Sequence, residues 1–457
     1  MKKDVTKLTT EQKVKLVMGV DCWNTYDLDG KIAKVRVSDG PVGVRMPLDP
    51  TDWSKGDAPA VAYPSTQMLA NTWNIDLAHK VGNAIANDCI EHGVDVILGP
   101  AVNIKRLPTC GRNFEYFSED PYLAGVMARE YINAVQEKHI GTSLKHFCCN
   151  GSEFSRVWAS MDVDERTLRE IYLEAFRIAC EAKPWTVMCS YNLLNGQRMS
   201  ENNKLYKVLR NEFGFDGVIV SDWDAVKDSA ASINAGLALE MPHNDQNQQQ
   251  LLADVEAGKV DPAKLDYCAE QVIALADKCT EGRKLRKVDM SIEQRREVSL
   301  DIAREGIVLL KNNNVLPISQ PNTSVFVTGA AAWHYYYGGG SSNVVPETPF
   351  VPLAEAMRAE GVDTEYFESV WCVENAGYIN VGNIAKAQQF AAKADVTVMC
   401  VGDPCHIESE GSDRQNIKLT KDEVEGIHHL ARMANKMVVC VYAGAAVDMA
   451  AHPYPKA

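Results

Sequence analysis

The feature that most constrains this chain is a short apolar run that stops abruptly on polar side chains. Gly217-Val218-Ile219-Val220 is glycine-flanked and β-branched, too short for a helix, and reads as a buried strand. It ends at Ser221-Asp222-Trp223, which puts a carboxylate and a large aromatic at the strand's C-terminal tip. The same pattern recurs upstream. Residues 34–39 form a strand ending on Asp39, 94–100 a buried strand followed by a charged loop, 142–146 one ending on Lys145-His146, and 185–192 one that includes Tyr191. Helical periodicity fills the intervals at 74–91, 123–138, 164–181 and 204–213, after a capped first helix within 8–19. Strands spaced by helices, each ending in polar groups, predict an α/β chain whose N-terminal part is a parallel (β/α)8 TIM-barrel-like domain. An open doubly wound sheet would gather its ligand loop at one switch point. Here polar groups follow many strands, which favours the barrel.

At 457 residues the chain exceeds what one core usually serves. The barrel is assigned to residues 1–280, and the highly charged stretch 281–298 reads as a linker. A second β/α set fills 299–457: helix 299–309, strand 324–328, helices 352–360 and 385–394, strand 396–401, helix 422–434 and strand 437–442. With the chain reaching only Ala457 after that strand, the second domain is expected to be a partial α/β sandwich.

A net charge of −14 argues against nucleic acid and against anionic membrane surfaces. No apolar run has the length to span a bilayer. The N-terminus lacks an apolar signal core, so a cytoplasmic location is expected. The 13 cysteines include no paired Cys-x-x-Cys motifs, so reduced thiols, no metal and no cofactor are expected.

Asp39, Arg112, Glu115, Lys145 and His146 sit at or just beyond predicted strand ends, so one barrel face would gather them into a polar pocket. Cations beside carboxylates suit sugar hydroxyls, and Trp223 and Tyr191 would offer apolar faces to a pyranose ring. In the second domain the acidic loop 402–414 contains Glu408 and Glu410 without EF-hand spacing. Gly338 to Ser342 lacks the Gly-Lys-Ser/Thr of a phosphate cradle.

Several of these stretches together resemble glycoside hydrolase family 3, in its two-domain β-glucosidase branch. They are Ser38-Asp39-Gly40-Pro41-Val42-Gly43-Val44-Arg45, Thr72-Trp73-Asn74, Gly111-Arg112-Asn113-Phe114-Glu115-Tyr116-Phe117-Ser118-Glu119-Asp120-Pro121, Lys145-His146-Phe147, Ser190-Tyr191-Asn192, Ser221-Asp222-Trp223 and Glu408-Ser409-Glu410-Gly411-Ser412-Asp413-Arg414. The resemblance implies a retaining, exo-acting β-glycosidase that removes terminal β-D-glucosyl residues through a covalent glycosyl-Asp intermediate. It implies Asp222 as nucleophile and Glu410 as general acid/base, with Glu408 as the runner-up. Asp39, Arg112, Lys145, His146, Arg156 and Tyr191 would hold the terminal sugar, with Trp223 beside the scissile bond. The partner is then a small glycoside or oligosaccharide, and a homo-oligomer stays open. Chemistry of this kind requires Asp222 ionised and Glu410 protonated when substrate arrives, so neighbouring cations are expected to favour charge on Asp222 and a less polar setting to raise Glu410. A β-xylosidase or another glycosyl specificity, and an inactive sugar-binding chain, are the alternatives.

Overall fold

The computed structural model describes residues 4–49, 53–318, 322–333, 339–367, 381–402 and 408–449. Residues 403–407 of the acidic loop and Gly338 of the glycine run lie outside the described residues. The N-terminal domain is built on five parallel strands: β1 (Val37–Asp39), β2 (Val96–Leu98), β3 (Gly141–Phe147), β4 (Thr186–Cys189) and β5 (Val218–Val220), hydrogen-bonded in that order. Every residue of these strands is buried. That explains why they read as continuous apolar or small-residue runs rather than alternating ones.

The domain is barrel-like as expected, but its wall is not eight regular strands. Beyond β5 the ring is continued by single bridges, Val220 to Leu239 and Met18 to Glu240 in parallel, then Gly19 to Thr25 and Asn24 to Arg36 in antiparallel fashion. The reversal has a local cause. Oδ1 of Asp21 accepts from the backbone N–H of Trp23 (2.6 Å) and of Asn24 (2.7 Å), folding the chain back on itself between the two bridges.

Helices wrap the sheet: α1 (Thr10–Leu16), α2 (Ile75–Glu91), α3 (Pro121–Glu137), α4 (Glu174–Cys180) and α5 (Pro262–Leu285). Their starts are written in the sequence. Asn74 caps α2 by accepting from Leu77 N–H, and Asp120 caps α3 ahead of a proline at the first helical position. Alternate strand residues serve two cores. Ile97, Leu144, Val187 and Ile219 pack with the apolar faces of α2 and α3. Val37, Val96, Met188 and Val220 pack with Val272 and Leu275 of α5.

Residues 281–298, read as the linker, run through the end of α5 at Leu285 and the start of α6 (Ile292–Gly306). Three of their arginines are ion-paired against the barrel. Arg283 and Arg286 bind the fully buried Asp95, and Arg295 lies 2.6 Å from Asp88 and 2.8 Å from Glu91. The helix expected over 299–309 starts earlier and stops at Gly306, where a side chain would stand 2.5 Å from the Met68 carbonyl oxygen. Close approach to the barrel therefore fixes that glycine, and the chain leaves helical geometry directly after it.

The second domain holds a four-stranded parallel sheet of β6 (Ser324–Thr328), β7 (Asp363–Tyr366), β8 (Val396–Gly402) and β9 (Met437–Tyr442), ordered β7-β6-β8-β9. Helices α7 (Leu353–Ala359), α8 (Val381–Lys393) and α9 (Lys421–Ala431) cover it. One face buries Phe326, Met399 and Val401 with α8 and α9, and the other buries Val325, Val327 and Val398 with α7. No helix among the described residues is long and apolar enough to cross a membrane.

Candidate active site

The C-terminal ends of the barrel strands carry the expected side chains. Asp39 is the last residue of β1, Lys145 and His146 lie near the end of β3, Tyr191 follows β4, and Asp222 stands two positions past β5. Arg112 and Arg156 lie on the loops after β2 and β3. All but Arg156 and Trp223 are more than nine-tenths buried.

Ser221 fixes the strand tip before Asp222: its hydroxyl donates to the Met241 carbonyl (3.1 Å) and accepts from the Met241 N–H (2.8 Å). Oδ1 of Asp222 accepts from Trp223 N–H at 2.8 Å, while the buried Oδ2 has no hydrogen-bond partner and faces Nε2 of His146 at 3.7 Å. That Nε2 is also buried and unpartnered. Asn103 explains the ring's orientation. Its Oδ1 accepts from His146 N–H (2.9 Å) and lies 3.3 Å from Nδ1, which also has the Tyr116 hydroxyl at 3.4 Å, so these contacts hold Nδ1 and leave Nε2 turned toward Asp222. Burial, with Arg112, Lys145 and Arg156 nearby, holds His146 well below the usual imidazole range, so the ring is neutral. Two buried polar atoms with unspent hydrogen-bonding capacity facing each other form a ready site for hydroxyl groups.

Arg112 is bound in a fork by Glu115, with Nε to Oε1 at 2.9 Å and Nη2 to Oε2 at 2.8 Å. Lys145 lies 3.9 Å from the same carboxylate and donates to the Gly40 carbonyl at 3.3 Å. Arg156 lies with its Cζ 4.0 Å from the centre of the Tyr191 ring and pairs with Glu153 at 2.6 Å. Trp223 donates from Nε1 to the Cys22 carbonyl (3.1 Å) and tilts against Trp23 with ring centres 6.2 Å apart.

The second domain completes the cluster. Glu410 sits on a tight turn closed by a bridge from Ser409 to Ser412, with Gly411 at φ +86°. Its Oε1 meets Nη2 of Arg156 at 2.8 Å and Nη1 of Arg112 at 3.3 Å, and its Oε2 accepts from Ser341 N–H at 3.0 Å. Glu408 faces another way: Arg414 binds it at 3.1 Å and Gly444 N–H donates to it at 2.9 Å. The structure thus joins Glu410, not Glu408, to the arginines beside Asp222.

The electrostatics correct the expected protonation. Burial, strengthened by the negative Glu410 and opposed by Arg112, Arg156 and Lys145, pushes Asp222 up to about 6. Burial likewise pushes Asp39 up to about 7 against the pull of Lys145 and Arg45. For Glu410 burial acts upward, but Arg112, Arg156 and the Ser341 N–H together hold it well below the usual carboxylate range. Of the cations expected to serve Asp222, Arg112 is paired with Glu410, while Lys145 lies beside Glu115.

Sequence reading passed over Glu153 and Asn103 and gave Asp413 no role of its own, whereas Glu115, read beside Arg112 in the pocket, is found there in a fork with it. Glu153 offered one signal, standing three residues before Arg156 in a loop that follows a strand.

Residues 10–275 match the model for the glycosyl hydrolase family 3 N terminal domain, and 307–457 match that for the C-terminal domain of the same family. The chain belongs to glycosyl hydrolase family 3. Among its relatives in the family, it is 38% identical to an exo-alpha-(1->6)-L-arabinopyranosidase of Bifidobacterium longum, over 98% of this chain and 60% of that one. It is 36% identical to thermostable beta-glucosidase B of Acetivibrio thermocellus, with the same coverage of 98% and 60%. The chain therefore spans about three-fifths of the length of these curated relatives. Among solved structures, the family 3 beta-glucosidase of Bifidobacterium adolescentis superposes with a TM-score of 0.90 at 37% identity, covering 99% of this chain and 65% of that one. Beta-glucosidase 3B of Thermotoga neapolitana, solved with glucose, gives a TM-score of 0.87 at 30% identity, with coverage of 98% and 69%.

Proposed function

We propose that this family 3 chain acts as a retaining β-glucosidase on terminal non-reducing β-D-glucosyl groups. One observation carries the reading: a buried carboxylate with an unspent oxygen, Asp222, stands at a barrel strand tip, and a second-domain carboxylate, Glu410, enters the same arginine cluster. Two carboxylates suffice for this chemistry. Asp222 attacks the anomeric carbon and forms a glycosyl ester while Glu410 passes a proton to the departing oxygen. Glu410 then takes a proton from the water that releases the sugar. Because Arg112 and Arg156 hold Glu410 ionised, they must turn toward the sugar's hydroxyls before it can serve as the acid. Asp39, Lys145 and His146 supply the remaining polar contacts, and no cofactor takes part in the scheme. Thiols that are free at every described cysteine support a reducing, cytoplasmic setting.

A second specificity rests on one observation, the 38% identity to an arabinopyranosidase along nearly the whole chain. A panel of nitrophenyl β-D-glucoside, β-D-xyloside and α-L-arabinopyranoside separates the two. Highest kcat/KM on the glucoside is expected. Preference for the arabinopyranoside would transfer the assignment, and turnover of none would remove it.

A further inference from the structure

Asp413 plays no part in the chemistry above, yet it meets both barrel loops that carry the arginines. Its Oδ1 accepts from Gly111 N–H (3.0 Å) and Glu153 N–H (2.9 Å). Its Oδ2 accepts from Ser152 Oγ (2.6 Å) and Phe154 N–H (2.9 Å). Gly111 immediately precedes Arg112, and 152–154 lead directly into Arg156. We propose that Asp413 is a positioning residue, one that sets Glu410 between Arg112 and Arg156 by fastening the second-domain turn to both barrel loops.

Three further features fit that role. The turn lies directly on the barrel backbone, since a side chain at Gly111 would stand 1.8 Å from the Ser412 carbonyl oxygen. Gly411 N–H, next to Glu410, donates to Oε2 of Glu153 at 2.8 Å, and Arg414 N–H donates to the Thr109 carbonyl at 2.8 Å. The charge of Asp413 is met by the Ser152 hydroxyl and by three backbone N–H groups, which move only when their loops move. An asparagine of the same shape would present a donor to at least one of those N–H groups, so the fastening would open on one side.

The consequence for turnover rests on the glycosidase reading, whereas the positioning does not, and the experiment separates them. The full chain and its Asp413→Asn and Asp413→Glu variants are labelled with 13C at glutamate side-chain carboxyls, and Glu410 is assigned by its loss in Glu410→Gln. In Asp413→Asn the Glu410 titration is expected to move up by about one pH unit or more as the arginines release it, and Asp413→Glu to return it part of the way. On aryl β-glucosides, Asp413→Asn is expected to lose about tenfold or more in kcat with poor leaving groups, and far less with dinitrophenyl, at nearly unchanged KM. An unchanged Glu410 titration overturns the proposal, as does an equal loss across all leaving groups. Wild-type inactivity on every glycoside would contradict the proposed function and leave the titration to decide on Asp413. Should Asp413→Asn fail to fold, Ser152→Ala removes a single donor and is expected to move Glu410 the same way by less; no movement there also overturns it.

Discussion

Nη2 of Arg156 lies 2.8 Å from Oε1 of Glu410, and Nη1 of Arg112 approaches the same oxygen at 3.3 Å. A group that must donate a proton is thus held ionised by the cations that must grip the sugar. The two demands are reconciled only if substrate hydroxyls compete for the guanidinium groups, leaving Glu410 to take up a proton as it loses them. Replacing Arg156 by methionine removes one of those cations while keeping an apolar side chain to lie on Tyr191. The alkaline limb of kcat, which reports the enzyme–substrate complex, should then move to higher pH, because Glu410 stays protonated longer, while kcat/KM falls through the lost sugar contact. A limb that stays in place would show that Arg156 does not govern Glu410.

The cations also have direct work on substrate. Arg112→Ala or Lys145→Ala is expected to cut kcat/KM at least tenfold, equivalent to about 1.4 kcal/mol of transition-state stabilisation. The loss should be larger for Arg112, whose removal also leaves the fully buried Glu115 without its forked partner. Wild-type kinetics in either variant would withdraw that residue from the pocket.

Asp222 sets activity against stability. Its pKa is raised to about 6 in the folded chain, above the ordinary value near 3.8. Between those two values the folded state binds more protons than the unfolded one, so stability falls as pH rises through the window from about 4 to about 6. Above it the buried charge remains a net cost that Arg112, Arg156 and Lys145 only partly offset. Asp222→Asn, which cannot ionise, should raise the unfolding free energy at pH 8 by roughly 1–3 kcal/mol and have little effect at pH 4. Chemical denaturation at the two pH values measures the difference. Equal effects at both would place the shift in the wrong window.

Strand tips were the legible part of this molecule. A buried strand needs an apolar run, so a run that ends in Ser221-Asp222 or Lys145-His146 announces that its tip serves something other than the core. The choice between Glu408 and Glu410 was not legible. The residues stand two apart on a tight turn, and only the docking of that turn shows one facing Arg414 and the other facing Arg112. How the 281–298 linker is fastened to the barrel was not legible for a related reason. Arg295 is buried beside Asp88, a partner far away in sequence. That pairing makes its own test: Arg295→Ala strands Asp88 and should cost roughly 3–5 kcal/mol of stability with the active site far less affected.

The most direct measurement for the central claim is chemical trapping at Asp222. The full chain is incubated with a 2-deoxy-2-fluoro-β-D-glucoside bearing a dinitrophenyl leaving group, digested, and its peptides sequenced by mass spectrometry. A single fluoroglucosyl ester on Asp222 is the predicted result, formed in the wild type and absent from Asp222→Asn. An ester on any other carboxylate would contradict the account, as would release of α-glucose as the first product from a β-glucoside.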